Sequence, residues 1–241
     1  MLTRQNIQIR DNFDAIASRY DITNRIISFG IDLYWRRVAV RHLAEIPEEA
    51  TVLDLACGTC DMGRELLRRR PRVRVIGADL SLRMLQAGQG RTGDLRRRDA
   101  EGRPGRLSLV NAPAEALPFP DGSFDAAMIA FGIRNVPEYA VGLREMLRVL
   151  KPGGLVCILE FSTPPSRLFR SLYRLYFVHV LPWIGGWLTG HRQAYRYLTD
   201  SVSEFPGAEA FQDAMQQVGF TQVRFLRLTG GIACVHTGTR P

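Results

Sequence analysis

The chain has 241 residues, 46% of them apolar, enough for one α/β domain with a large buried core. Four cysteines in a chain of this size argue against a disulfide scaffold, and the longest apolar stretch, 175–188, is interrupted by Pro182, Gly185 and Gly186 and falls short of the roughly 20 residues a spanning helix needs. The net charge of +8 comes almost wholly from arginine, with Lys151 the only lysine; clusters at 68–74 and 96–98 suit nucleic acid, an anionic membrane surface or solvated helix faces.

In chain order, residues 1–14 carry Arg10 and Asp11 and no apolar signal core, so the cytoplasm is the expected compartment. The first 45 residues read as helical, most clearly over 12–19 and 34–43. Short apolar runs with β-branched residues at 51–55, 73–78, 107–110, 124–130 and 155–161 read as buried strands. Helical periodicity at 61–70, 81–89 and 137–150 falls between them. This alternation calls for a parallel sheet with helices on both faces. The polar stretch 91–105 reads as an exposed loop. Beyond Phe161 the pattern predicts helices over 167–180, 193–204 and 208–218, then strands over 221–228 and 232–238 around Thr229-Gly230-Gly231.

In such sheets ligands bind outside the carboxyl ends of the strands. The first strand ends in Asp54-Leu55-Ala56-Cys57-Gly58-Thr59-Cys60-Asp61, a carboxylate followed by small residues that let a ligand approach the backbone. Asp79 ends the second strand, placed to accept hydrogen bonds from both ribose hydroxyls of an adenosine, with Leu80 beside it. At the end of the third, Asn111 and the backbone of Ala112 are offered to the adenine edge. The loop lacks the G-x-G-x-x-G spacing that a dinucleotide's pyrophosphate requires. Asp54 would repel a pyrophosphate but attract a sulfonium and an α-amino group. S-adenosylmethionine is therefore the expected cofactor rather than NAD. Cys57 and Cys60 form a C-x-x-C pair, but Cys157, Cys234 and four scattered histidines offer no second ligand pair, so no metal is expected.

Several motifs combine: Tyr20-Asp21-x-x-Asn24, Ser28-Phe29-Gly30 and Trp35-Arg36; the 54–61 loop; Ala114-Glu115-Ala116-Leu117-Pro118-Phe119; Phe131-Gly132-Ile133-Arg134-Asn135-Val136; Arg148-Val149-Leu150-Lys151-Pro152-Gly153-Gly154; Leu159-Glu160-Phe161-Ser162; Tyr195-x-Tyr197-Leu198; and Leu228-Thr229-x-Gly231-Ile232. Through these, residues 13–238 resemble the demethylmenaquinone and polyprenyl-benzoquinol C-methyltransferases. The resemblance implies a doubly wound, Rossmann-like class I methyltransferase fold: a seven-stranded, mostly parallel sheet with an antiparallel closing strand. It implies a single domain over 1–241, with 1–45 as a helical lid and 162–205 as a helical insertion over the substrate site. Cofactor contacts are implied at Thr59, Asp79, Asn111 and Ala112. The chain departs from the family at Cys60, where glycine is usual, and at Ala130, where serine is common and which is counted with the cofactor residues. Cysteine fits at 60 if φ is negative, but not comfortably if φ is positive.

The implied reaction is methyl transfer to a ring carbon of a prenylated hydroquinone in respiratory quinone biosynthesis, with demethylmenaquinol the first expectation and a polyprenyl-methoxy-benzoquinol the second. Another aromatic or lipid-like acceptor, or a non-catalytic subunit, are the other readings. The chemistry needs a deprotonated phenol and an aligned ring carbon, with no metal and no covalent intermediate. An Arg134 guanidinium beside the ring oxygen would stabilise the phenolate, though with a pKa above about 12 it is no proton acceptor. Pairing with Glu160 or Asp125 is its structural alternative. Tyr20 and Asn24 are the further catalytic candidates, with Asp21 beside them, and Asn135, Tyr195 and Tyr197 the substrate-binding ones. Residues 168–188, aromatic and basic, are expected to line a channel for the prenyl tail and to touch an anionic membrane surface, unless they form a core helix pair. A homodimer is a compatible assembly. Nucleic acid is not an expected partner: no D/N-P-P-Y/F motif follows the fourth strand, and Cys157 lies inside the fifth.

Overall fold

The computed structural model describes residues 3–96, 105–181, 183, 186, 187 and 192–241. The buried apolar runs form β1 (Thr51–Leu55), β2 (Arg74–Asp79), β3 (Leu107–Asn111), β4 (Phe124–Ala130) and β5 (Leu150–Phe161), and the closing pair forms β6 (Thr221–Leu228) and β7 (Ala233–Thr239). They make one sheet in the order β3-β2-β1-β4-β5-β7-β6. The first five strands are parallel, while β7 lies antiparallel between β5 and β6. The expected mostly parallel sheet is present.

The helices are α1 (Arg4–Ile16), α2 (Tyr20–Ile27), α3 (Ile31–Arg41), α4 (Asp61–Arg69), α5 (Leu82–Arg96), α6 (Tyr139–Val149), α7 (Arg167–Leu175) running into a π-helical turn at Tyr176–Val180, α8 (Arg192–Glu204) and α9 (Ala208–Val218). β1 and β4 show no polar alternation because both faces are covered. Val52 and Met128 pack on one face with Met62 and Leu66 of α4 and Val38 of α3. Leu53 and Ile129 pack on the other with Leu143 and Met146 of α6 and Phe211 of α9. Each fully buried side chain of this kind contributes about 1.5–3 kcal/mol. Among the described residues, no helix is long and apolar enough to cross a membrane.

Two expectations need correction. The exposed loop predicted over 91–105 is helical through Arg96, and 97–104 lie outside the described residues. Three glycines (Gly88, Gly90 and Gly93) hide the pattern, yet Thr92 is fully buried with its hydroxyl donating to the Gly88 carbonyl, and Leu95 packs on the core. At the N-terminus the helix runs over Arg4–Ile16 rather than 12–19, because the Thr3 hydroxyl accepts from the Asn6 amide and caps it. Within the helical N-terminal 45 residues α2 carries the weaker signal, because Ile22, Thr23, Ile26 and Ile27 are β-branched and depress helix propensity.

Candidate active site

β1 and β4 are neighbours, and the chain builds outward from them in both directions, which opens a crevice at their carboxyl ends. The two loops meet there without slack. A Cβ on Gly132 would stand 2.6 Å from the Ala56 Cβ. Three residues without glycine's freedom hold positive φ around the crevice: Ala56 at 48°, Cys60 at 66° and Phe131 at 59°. Such strain gathers where a site is built. Cys60 thus adopts the uncomfortable conformation of the two considered. It is fully buried at the start of α4, with its Sγ 3.6 Å from Cys57 Sγ.

A pocket of about 80 Å³ lies over these loops. Of the expected cofactor residues, Gly58, Asp79, Leu80, Ala112 and Ala130 line it; Asn135, expected on the substrate side, lines it as well. Asp79 accepts from the Gly58 and Ser81 amides, each at 2.8 Å. Burial still pushes its carboxyl up to about 6, against those two hydrogen bonds. The other expected residues stand behind the lining. Asp54 is buried and accepts from the Gly63 amide at 2.9 Å; burial drives it up to about 7, opposed by that bond and by Arg36. Thr59 donates its hydroxyl to Asp21 at 2.7 Å. Cys57 is half-buried, and a Cβ on Gly77 would lie 2.9 Å from its Sγ. The Asn111 amide is spent on the carbonyls of Asp79 and Leu80, at 2.8 and 2.9 Å, so it ties β3 to the end of β2. The chemistry of the lining suits S-adenosylmethionine. It presents a carboxylate to ribose hydroxyls, and Asn135 Oδ1 is a buried acceptor with no partner among the described residues, suited to an amino group.

A second, apolar cavity of about 260 Å³ adjoins the first. Phe13, Tyr20 and Phe131 line both. Trp35, Phe161, Tyr173 and Phe177 form much of its wall, and the candidates Asn24, Arg134 and Tyr197 face it. The side chain of Tyr195 lies outside the described residues. Burial pushes the Tyr20 phenol up, while Arg36, Arg134 and a hydrogen bond with Asn24 pull it down. Arg134 is clamped: Nη1 donates to Glu160 Oε1 at 2.6 Å and to the Phe131 carbonyl at 2.7 Å, with side chains 5% and 1% exposed. Glu160 also accepts from the Phe161 amide at 2.9 Å. The structural alternative weighed for Arg134 is therefore present together with its place on the cavity.

The N-terminal helices are tied to the cofactor loops and to α5 by Asp14 on Ser81, Asp21 on Thr59 and Arg91, and Arg25 on Asp61, while Arg25 also joins α2 to Asp32 of α3. Sequence reasoning passed over Arg36 and Trp35, both on the cavity, and gave Glu160 no role of its own. Two signals marked them: an arginine on the apolar face of α3, and a carboxylate inside the apolar run of β5.

A family model described as the ubiE/COQ5 methyltransferase family matches residues 1–240. The chain is 48% identical over 242 residues to a ubiquinone/menaquinone biosynthesis C-methyltransferase of Geobacter sulfurreducens, covering 99% of this chain and 91% of that one. It is 47% identical over 229 residues to a demethylmenaquinone methyltransferase of Thermus thermophilus, covering 95% and 100%. Among solved structures, a SAM-dependent methyltransferase of Thermotoga maritima superposes with a TM-score of 0.66 at 19% identity, covering 97% of this chain and 100% of that one. Phosphoethanolamine N-methyltransferase 2 of Haemonchus contortus, in complex with S-adenosyl-L-methionine, gives 0.65 at 14% identity, covering 100% and 60%. At these identities the likeness to the two structures is one of fold.

Proposed function

The chain belongs to the ubiE/COQ5 methyltransferase family and is an S-adenosylmethionine-dependent C-methyltransferase of quinone biosynthesis; from that premise we propose that its acceptor is demethylmenaquinol. One observation carries this reading: the polar pocket and the apolar, aromatic-walled cavity share Phe13, Tyr20 and Phe131 as a common wall. A flat ring in the larger space would lie against the smaller one. S-adenosylmethionine supplies the methyl group, as a sulfonium substituent. Asp79, Gly58 and Asn135 hold the cofactor, and α1 and α2 act as a lid that keeps water from the ring. The deciding experiment offers labelled S-adenosylmethionine with a demethylmenaquinol and with a methoxy-benzoquinol analogue. Label in the first supports the reading, label in the second alone moves the acceptor to the ubiquinone pathway, and label in neither rejects both.

Arg134 presents its guanidinium to one ring oxygen. Arg134→Ala is expected to lower turnover at least roughly tenfold, about 1.4 kcal/mol in the barrier, with S-adenosylmethionine affinity kept. Turnover equal to wild type would remove Arg134 from the reaction.

The prenyl tail leads to the surface. Leu168, Leu172 and Leu175 are exposed along α7 beside Arg167, Arg170 and Arg174, and Phe29, at 79% exposure, meets Tyr176 of the adjoining turn at 6.3 Å between ring centroids. Phe29 and Tyr176 both line the cavity. Apolar side chains set among arginines suit the interface of an anionic bilayer. The proposed location is the cytoplasm, peripheral to the inner face of the cell membrane. Vesicles containing anionic lipid should carry the protein upward in a flotation gradient at low salt, and Leu168→Asp with Leu172→Asp should leave it at the bottom. Equal flotation of the two forms would clear this face of the role.

A further inference from the structure

A hydroquinone carries two oxygens on opposite sides of its ring, and in the reading above, on which this step rests, Arg134 accounts for one. We infer that Arg36 is a second catalytic residue: the guanidinium that binds the other ring oxygen and holds it as the phenolate, its proton released to water.

Arg36 projects from α3, is 8% exposed and lines the apolar cavity. Its nearest carboxylate is Asp32, one turn earlier, at 3.8 Å from Nε, beyond hydrogen-bond range. Asp32 is engaged elsewhere, by Arg25 and by the Ser28 hydroxyl at 2.9 Å. Among the described residues Arg36 donates no hydrogen bond, and its Nε is buried without a partner. Arg36 also pulls the buried Asp54 and Asp61 carboxyls down through its field, yet a buried guanidinium that makes none of its own hydrogen bonds is expensive to keep. A ligand that completes its hydrogen bonds is the physical reason to hold it there.

Arg134 also has a buried Nε without a partner among the described residues, but its Nη1 is engaged. Its charge is met by Glu160 at 2.6 Å and its Nη1 also reaches the Phe131 carbonyl, so it can orient an oxygen but offers little net charge. Arg36 is the cation on the cavity that no carboxylate holds by a hydrogen bond among the described residues. Negative charge on an oxygen is stabilised by such a group where water is excluded. The two cations flank one aromatic pair. The Arg36 guanidinium carbon lies 5.2 Å from the Phe131 ring centroid, that of Arg134 lies 5.2 Å from Phe161, and the two rings are 4.6 Å apart. Phe131 also borders the cofactor pocket, so Arg36 lies over a ring that faces both spaces.

The test reads the bound acceptor rather than turnover alone. A short-chain prenylated 1,4-dihydroxynaphthalene is bound anaerobically to cofactor-free protein, and its phenolate absorbance is followed against pH in wild type, Arg36→Lys and Arg36→Gln. The bound phenol in wild type should ionise at least tenfold more readily than the free one. Arg36→Gln should abolish the gain and Arg36→Lys keep part of it. Turnover of Arg36→Gln near neutral pH should fall at least tenfold and recover with a halogenated quinol of more acidic phenol. Equal ionisation in wild type and Arg36→Gln, with every acceptor slowed by one common factor, would overturn the assignment and leave Arg36 a packing residue. Should Arg36→Gln fail to fold, Arg36→Lys decides: binding without any gain in ionisation overturns the assignment equally. A wild-type protein that binds S-adenosylmethionine but no quinol overturns the acceptor reading itself, and the role of Arg36 with it.

Discussion

Glu160→Leu should lower the free energy of unfolding by about 3–5 kcal/mol, the usual consequence of stranding one half of a buried ion pair. Glu160 is the acceptor for the Arg134 guanidinium, for the Phe161 amide and, at 3.3 Å, for the Arg134 amide. Leucine removes all three and leaves Arg134 charged at the centre of the fold. Adding Arg134→Leu should recover part of the loss, because the two residues then vanish as a unit and two buried apolar side chains replace them. Urea denaturation of the two single variants and the double variant measures the coupling. A Glu160→Leu protein with the stability of wild type would mean that the pair adds nothing to the fold.

Affinity for S-adenosylmethionine should rise with pH through the range 6–7. Burial holds Asp79 up to about 6 and Asp54 up to about 7 in the ligand-free protein. Ribose hydroxyls and a cationic ligand favour the ionised carboxylates, so binding releases protons. Below these values the carboxylates must first be deprotonated. One pH unit below the Asp79 value the loss is about tenfold from that residue alone. Calorimetry at pH 5 and pH 8, in buffers of different ionisation enthalpy, reads both the affinity and the proton count. Asp79→Asn should bind weakly and keep only the part of the slope that Asp54 supplies. Ligand-free stability moves the other way: both carboxylates lie above their unfolded value, so the stability they contribute is present below about pH 4 and lost as pH rises to 7. His42 and His236, lowered by burial, act in the opposite direction near pH 6, so this term is read as the difference between wild type and Asp54→Asn. A flat affinity profile from pH 5 to 8 would show that neither carboxylate changes charge on binding.

The sheet was legible because its strands are buried on both faces and so read as unbroken apolar runs, and β4 was bounded to the residue. The cofactor pocket was legible in part. Asp79 and Gly58 follow from the rule that ligands gather at strand ends, yet which neighbours face inward depends on side-chain direction. Asn111 turns back to the ends of β2, and Thr59 turns to Asp21. Spacing along one chain cannot show a partner thirty-eight positions away. The acceptor cavity was legible only through resemblance, since its walls come from α1, α2, α3, the turn after β4, β5, α7 and α8, which nothing local brings together. Arg36 escaped for the same reason: its significance lies in the contacts it lacks.

The wall formed by Phe13, Tyr20 and Phe131 has a thermodynamic consequence. Because the same three side chains bound both spaces, a molecule that reorders them on one side changes the face offered to the other. Linkage requires that effect to be reciprocal: if S-adenosylmethionine tightens quinol binding by some factor, quinol tightens S-adenosylmethionine by the same one. The order in which the two are added bears on rates alone, whereas the coupling is a single property of the shared aromatic partition.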